Sequence, residues 1–301
     1  MAGHDHPHGV TPDTNTRRLL VALGLIVAFM CGEIVAGILA SSLALLSDAG
    51  HMLTDAGAIG LSLLAIRLAA RPAGGNLTYG LRRAEILSAQ ANGAALVVLA
   101  VLVVYEGVRR LVAPPNVGGW TVLVVALVGI AVNLVATWQL ARANRENMAV
   151  EGSFQHILTD LYAFVATAIA AGVILGTGFD RADPIASLLV AALMLRSAYG
   201  LLKSSGRVLL EIAPAGMSVE DVGRAIAEHP HVSSVHDLHV WEIGSGFPAL
   251  SAHVLVHPGD DCHAIRRELE ATLHARFGID HTTLQVDHAD EERLLTISRR
   301  A

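Results

Sequence analysis

Two pentapeptides, "HMLTD" at residues 51 to 55 and "HILTD" at 156 to 160, each place a histidine four residues before an aspartate inside an apolar stretch. On a helix, positions i and i+4 lie about 40° apart around the axis and about 6 Å apart along it. His51 and Asp55 therefore share a face, as do His156 and Asp160. One such pair is equally an ion pair or an interhelical hydrogen bond. Two nearly identical pairs suit another chemistry: facing one another, they supply two imidazole nitrogens and two carboxylate oxygens, the donor number and type of a tetrahedral zinc site. An aspartate at the centre of a membrane helix costs about 2.5–3.5 kcal/mol, and ligation of a cation would offset that cost.

The elements that must carry these pairs follow from composition. The chain is 53% hydrophobic and 16% charged, with a mean hydropathy of +0.52, against roughly 25% charged residues in an average soluble domain. Apolar runs lie near 19–40, 43–69, 86–110, 119–141, 152–176 and 184–203, each long enough for the ~20 residues that a bilayer core requires. The first run follows Arg17 and Arg18 but is longer than the apolar core of a signal peptide, so it reads as an uncleaved span. Arg17, Arg18, Arg67, Arg71, Arg82, Arg83, Arg142, Arg145, Lys203 and Arg207 fall on one side of a six-span arrangement, against Arg109, Arg110 and Arg181 on the other. By the positive-inside rule both termini face the cytosol. The formal charge of −6 gives no basic footprint for nucleic acid. The two cysteines, Cys31 and Cys262, are too few for a disulfide framework or a cysteine-rich zinc knuckle.

From about residue 215 the texture becomes that of a small soluble domain. "SVEDVGRAIAEHP" begins with Ser218 and Asp221 at capping-box spacing and carries Val219, Val222 and Ile226 at helical spacing. Residues 232–243 and 249–257 read as a β-hairpin around Gly-Ser-Gly, "DDCHAIRRELEATLHARFG" as a helix with Asp260 or Asp261 near its start, and "HTTLQVD" as a third strand. The expected fold class is an all-α six-helix transmembrane domain followed by a small α+β cytosolic domain, αββαβ, ferredoxin-like without its first strand. The expected divisions are an arm at 1–16, a transport domain at 17–207, a linker at 208–214, a metal-binding and dimerisation domain at 215–290 and a tail at 291–301. A core that small is modest, so dimerisation is expected to support it.

The paired pentapeptides come with particular flanks: "SLALLSDAGHMLTDAGAIGLSLLA", "YGLRRAEILSAQANG", "FQHILTDLYAFVATAIA", "ADPIASLLVAALML" and "VHDLHVWEI". With these the chain resembles the cation diffusion facilitators, specifically the zinc-transporting branch, over nearly its whole length. The resemblance implies a homodimeric exporter of the bacterial inner membrane that moves Zn²⁺ out of the cytosol in exchange for protons. It implies a transport site of His51, Asp55, His156 and Asp160, with zinc also bound in the cytosolic domain. The short loop "RANRENMAVEG" fits a compact bacterial-type member.

In the tail, strand alternation puts Ser251, His253 and His257 opposite Leu250, Ala252, Val254 and Val256. For "VHDLHVW" alternation is ambiguous, because His236 shares a face with Leu238 and Val240, and His239 with Val235 and Trp241. The resemblance implies a cytosolic metal site of His236, His253 and Asp287, with His263 and His281 as further candidates. The chain departs from many relatives in having Gln285 in the last strand and Arg82 in the loop before the third span, so no loop metal site is expected. Asp48, one turn before His51, and Glu33 in the first span are expected beside the site or lining its cavity. Gln90, Asn92 and Asn133 are expected to make interhelical hydrogen bonds. His4, His6 and His8 alternate in "MAGHDHPHGV", a metal-gathering composition; an engineered tag is the competing reading, against which the run is interrupted and only three histidines long. Two rival functions use the same histidines. A membrane metalloenzyme would need an open coordination position with a general base, or clustered histidine boxes, and the chain has no His-Glu-x-x-His. A metal sensor would have no use for ligands buried in a bilayer.

Overall fold

The computed structural model describes residues 12–39, 43–113 and 119–289, with residues 43–51 and a few other helical positions described by backbone alone. It divides into two compact units after Gly206. Six long helices dominate the first: α1 (Pro12–Leu39), α2 (Leu43–Ala69), α3 (Ala84–Val112), α4 (Gly119–Ala141), α5 (Met148–Thr177) and α6 (Ala182–Leu209). Among the described residues, five helical stretches are long and apolar enough to cross a membrane, drawn from α1, α3, α4, α5 and α6. The unit is thus an all-α, multi-spanning membrane domain.

Its packing is a four-helix core with an attached pair. α1 packs on α2 and α4, and α5 packs on α4 and α2. The seam between them holds Leu19, Ala22 and Ile26 of α1, Met52, Ile59, Leu63 and Ile66 of α2, Ala136 and Leu140 of α4, and Ala149, Val150, Phe154 and Ile157 of α5. These positions recur at three- and four-residue intervals, the spacing that keeps side chains on one helical face. α3 lies against α2 and α5, and a separate cluster of Leu96, Ala100, Val190, Met194 and Ala198 joins it to α6. Gly93 permits that approach, since a Cβ there would stand 2.9 Å from the Leu202 side chain. The outward positions are apolar, among them Val98, Tyr105, Leu127 and Leu189, whereas Asp55, Asn92, Ser153, His156 and Asp160 are inside. That inversion suits hydrocarbon as the solvent.

The second unit contains α7 (Val219–Ala227), β1 (Val232–Gly244), β2 (Phe247–Val256), α8 (Cys262–Phe277) and β3 (His281–His288), a small mixed α/β domain. The sheet order is β1-β2-β3, with β1 and β2 antiparallel and β2 and β3 parallel. Val222 and Ile226 of α7 and Ile265, Leu269 and Leu273 of α8 pack on one sheet face through Val240, Leu250, Ala252, Val254, Val256 and Leu284. The other face carries Ser251 and His253, as alternation requires.

The helix starts are capped by their sequence. Ser218 Oγ accepts the Asp221 amide at 3.1 Å. Among the described residues the reciprocal half of the capping box does not form, and the Asp221 carboxylate accepts from Arg224 at 2.9 Å. Asp261 caps α8 by accepting the amides of His263 and Ala264. The Ala264 amide, then that of His263, holds its carboxyl below the usual carboxylate range. The cap is therefore fully present above the usual carboxylate range and is lost as pH falls through the lowered value.

Candidate metal centre

α5 is anchored just before it presents its ligands. Asn147 is the N-cap, its side-chain oxygen accepting from Ala149 N at 3.0 Å and Val150 N at 3.3 Å. In the preceding loop Arg145 forks onto Glu151 at 2.7 and 3.1 Å and lies over the Phe154 ring at 3.9 Å. The Asn144 amide donates to Asn15 Oδ1 of α1 at 2.9 Å. These contacts fix the first two turns of α5, and His156 follows on the third.

α2 and α5 are held in register by a buried polar knot. Ser62 Oγ accepts from Ser153 Oγ of α5 at 2.9 Å and from Asn92 Nδ2 of α3 at 3.3 Å, and it lies 3.3 Å from Ser88 Oγ of α3. All four residues are at most 2% exposed. Gly152 keeps room for the knot, since a Cβ there would come 3.1 Å from Asn92 Nδ2. Nothing in the sequence singled out the three serines, because serine at helical spacing is common in membrane helices and carries no period of its own. Asn92 does bond between helices as expected, and Gln90 accepts from Ser205 of α6 at 2.5 Å. Among the described residues Asn133 instead donates to Gly129 O of its own helix at 3.1 Å.

On this frame Asp55 of α2 and His156 and Asp160 of α5 meet. Their ligand atoms all lie within 4.8 Å of one another, and the three residues are 2%, 1% and 8% exposed. The closest contact runs across the helices, His156 Nε2 to Asp55 Oδ1 at 2.8 Å. His156 Nδ1 has no hydrogen-bond partner among the described residues. Two carboxylates around one imidazole make an acceptor-rich pocket. Burying such a set is costly unless positive charge joins it, as protons or as a metal ion. One nitrogen and two carboxylate oxygens are donors that Zn²⁺ accepts. The backbone of His51 sits one turn before Asp55 on α2; its side chain, and that of Asp48, lie outside the described residues, as do His4, His6 and His8. Glu33 is buried in α1, 4% exposed.

In the cytosolic domain the ambiguity of "VHDLHVW" has a structural cause. The β1–β2 register slips between His236, opposite His253, and His239, opposite Ser251. Asp237 and Leu238 thus stand opposite Ala252 alone, a β-bulge with Asp237 at φ +54°. The bulge brings His236 and His239 onto the same open face while Val235 and Val240 keep to the core face. His236 and His253 approach with ring centroids 5.3 Å apart, and Asp237 accepts from His239 Nε2 at 2.9 Å. Gln285 is the register partner of His253. Asp287, two residues further along β3 on that face, accepts from Gln285 Nε2 at 2.7 Å. His281 pairs instead with Ala249, four residues along β2 from His253 and so about 13 Å away. His263 is in the first turn of α8, whose apolar side covers the opposite sheet face. The structure therefore gathers His236, His253 and Asp287 on one face and leaves His263 and His281 away from them. Among the described residues, only the cluster in α2 and α5 has three such ligand atoms mutually within 4.8 Å.

Comparison with known proteins is consistent across both units. Residues 19–210 match the family model described as the cation efflux transmembrane domain, and residues 214–289 that of the cation efflux protein, cytoplasmic domain. The chain is 37% identical over 292 residues to the cadmium, cobalt and zinc/H(+)-K(+) antiporter of Bacillus velezensis, spanning 95% of this chain and 92% of that one. It is 40% identical over 290 residues to the zinc transporter ZitB of Escherichia coli, again 95% and 92% of the two chains. Among solved structures, the metal-bound C-terminal domain of the CzcD transporter from Cupriavidus metallidurans is 32% identical, covering 23% of this chain and 97% of that one with a TM-score of 0.23. With both family models matched in order and full-length relatives above 30% identity, the chain is a membrane transporter, not an enzyme, and belongs to the cation diffusion facilitator family.

Proposed function

We propose that the chain exports Zn²⁺ from the cytosol in exchange for protons through a site of His51, Asp55, His156 and Asp160. The observation that carries this is the buried Asp55–His156–Asp160 cluster between α2 and α5; the four-residue spacing of His51 and Asp55 in the sequence supports His51 as fourth ligand. The names of the relatives, a zinc transporter and a cadmium, cobalt and zinc antiporter, support both cargo and coupling. Imidazole and carboxylate must be deprotonated to ligate, so protons and Zn²⁺ compete for the same atoms. Protonation from outside expels the metal there, and metal binding from the cytosol releases protons inside. Exchange needs the site to open to each side in turn, by rocking of the helices that bear it. Asp48 and Glu33 line the approach.

The setting is a lipid bilayer, the bacterial inner membrane, crossed six times with both termini in the cytosol. The cytosolic domain is ferredoxin-like without its first strand: removing the strand that would separate them leaves β2 and β3 to pair directly, in parallel. Its open sheet face holds zinc on His236, His253 and Asp287 and supports a homodimer, with His263 and His281 as further candidate donors from the helix and the strand start. His4, His6 and His8 gather zinc at the cytosolic surface.

The test is zinc entry into vesicles holding the purified protein, a zinc dye and an imposed pH gradient. Uptake should depend on the gradient and stop when a protonophore collapses it. Gradient-independent accumulation would refute exchange, and zinc binding without accumulation would favour a sensor. His51→Asp should shift preference from Zn²⁺ toward Cd²⁺, since an oxygen-rich site tolerates larger ions; an unchanged Zn/Cd ratio would remove His51 from the ligand set. His253→Ala in the full chain should lower the bound zinc by one per protomer and weaken dimerisation without stopping uptake. An unaltered stoichiometry would count against the cytosolic site.

A further inference from the structure

The cytosolic domain has a second group of soft donors, at the end of the sheet and away from the open face. Cys262 is the first residue of α8, and its Sγ lies 3.5 Å from His288 Nε2 and 3.8 Å from His288 Nδ1 at the end of β3. His288 pairs with Val256 in register, so it is directed to the helix-covered side, opposite to Asp287. Its Nε2 also lies 2.9 Å from the Asp260 carbonyl oxygen. The Asp260 carboxylate in turn accepts from His231 Nδ1 at 3.1 Å. Three chain segments are therefore drawn around one loop: the turn before β1, the turn between β2 and α8, and the end of β3. Backbone bonds tie the same segments, His257 N to His231 O at 3.2 Å and Ala289 N to Val256 O at 2.8 Å.

The Cys262–His288 spacing has a chemical meaning. In a tetrahedral site with Zn–S about 2.3 Å and Zn–N about 2.0–2.1 Å, sulfur and nitrogen stand about 3.6 Å apart. Cys262 Sγ and His288 Nε2 stand 3.5 Å apart, with Asp260 beside them. The other two candidate ligands of this loop, His231 and Asp260, are bonded to each other at 3.1 Å, with side chains 54% and 26% exposed. We propose that Cys262, His288, Asp260 and His231 form a site for a soft divalent cation, Zn²⁺, Cd²⁺ or Co²⁺, on the cytosolic domain. Binding exchanges the hydrogen bonds on Asp260 for metal bonds and releases the thiol proton to solvent. The bound ion staples the ends of β1 and β3 to the start of α8. It also offers a thiolate, which the all-nitrogen-and-oxygen transport cluster lacks, so the site favours thiophilic ions.

The thiolate makes the site separable from every other metal position in the chain. The full chain, purified in detergent with its thiols reduced, is titrated with Co²⁺ and read for the near-ultraviolet thiolate-to-cobalt charge-transfer band. The band should form in the wild type and in Cys31→Ser, be absent in Cys262→Ser, and need at least tenfold more Co²⁺ in His288→Ala or His231→Ala. Zn²⁺ should bleach it. In the Cys31→Ser background, Zn²⁺ or Cd²⁺ should also slow maleimide labelling of Cys262, and His288→Ala should abolish that protection. No band in the reduced wild type, or a band that survives Cys262→Ser, overturns the proposal. Because the transport cluster contains no sulfur, failure here leaves the zinc-uptake result untouched.

Discussion

Zinc uptake by vesicles should fall to the background rate when Asp55 is replaced by asparagine, and the chain should still fold. Asp55 is the one described residue of α2 that reaches the α5 ligands, through its 2.8 Å contact with His156 Nε2. Asparagine keeps the shape of the side chain and an oxygen able to accept from His156, so packing around Met52 and Ile59 is preserved. What it removes is one of two negative charges in a pocket almost closed to water. A dication bound there would then keep an uncompensated charge in a low-dielectric surrounding, and an amide oxygen is a poor ligand for Zn²⁺. Loss of a residue that merely orients a ligand costs roughly 10–100-fold in metal affinity, so loss of a ligating carboxylate should exceed the upper end of that range. Asp160→Ala should behave alike, because Asp160 completes the same set from α5. Dye-reported uptake above half the wild-type rate in either variant would mean that the cluster is not the transport site.

The cluster of Asp55, His156 and Asp160 was legible because a spacing and a composition coincide in it. A four-residue spacing on a helix fixes a shared face, and the apolar flanks say that the face is buried. The spacing alone implies two ligand-bearing faces, one on α2 and one on α5, that meet across the helices. Among the described residues the closest contact of the cluster does cross from α2 to α5, His156 Nε2 to Asp55 Oδ1 at 2.8 Å. The bulge at Asp237 was half legible. Its mark was the failure of alternation in "VHDLHVW", where no single phase puts Val235 and Val240 on one face and both histidines on the other. A one-residue insertion resolves that conflict, and only the partner strand reveals it. The polar knot was illegible for a plainer reason. Asn92 stands out as an amide in an apolar span, but Ser62, Ser88 and Ser153 are small, weakly polar and frequent in such helices, and their convergence depends on how three helices pack.

That knot leads to the second large effect. Ser62→Leu should lower the thermal unfolding midpoint of the detergent-solubilised chain and abolish zinc uptake, whereas Ser62→Ala should weaken both only partly. Ser62 lies two turns beyond Asp55 on α2, and Ser153 lies one turn before His156 on α5, so their 2.9 Å bond sets the register at which Asp55 and His156 meet. Alanine removes the shared acceptor of Ser153 and Asn92. Interhelical hydrogen bonds in membrane proteins contribute about 0.6 kcal/mol on average, so two or three of them amount to about 1–2 kcal/mol. Leucine adds to this an overpacking cost of about 1–3 kcal/mol, because Ser62 is 0% exposed and Gly152 already leaves Asn92 only enough space for its amide. The total of about 2–5 kcal/mol can be relieved by moving α2 away from α5, and a displacement of even an ångström separates the ligand atoms. Metal binding is the sharper measurement: Ser62→Leu should lose zinc affinity without losing any ligand, and Ser153→Ala, which deletes one bond and adds no bulk, should keep it. Wild-type affinity and melting in Ser62→Leu would show that the junction of α2, α3 and α5 does not position the site.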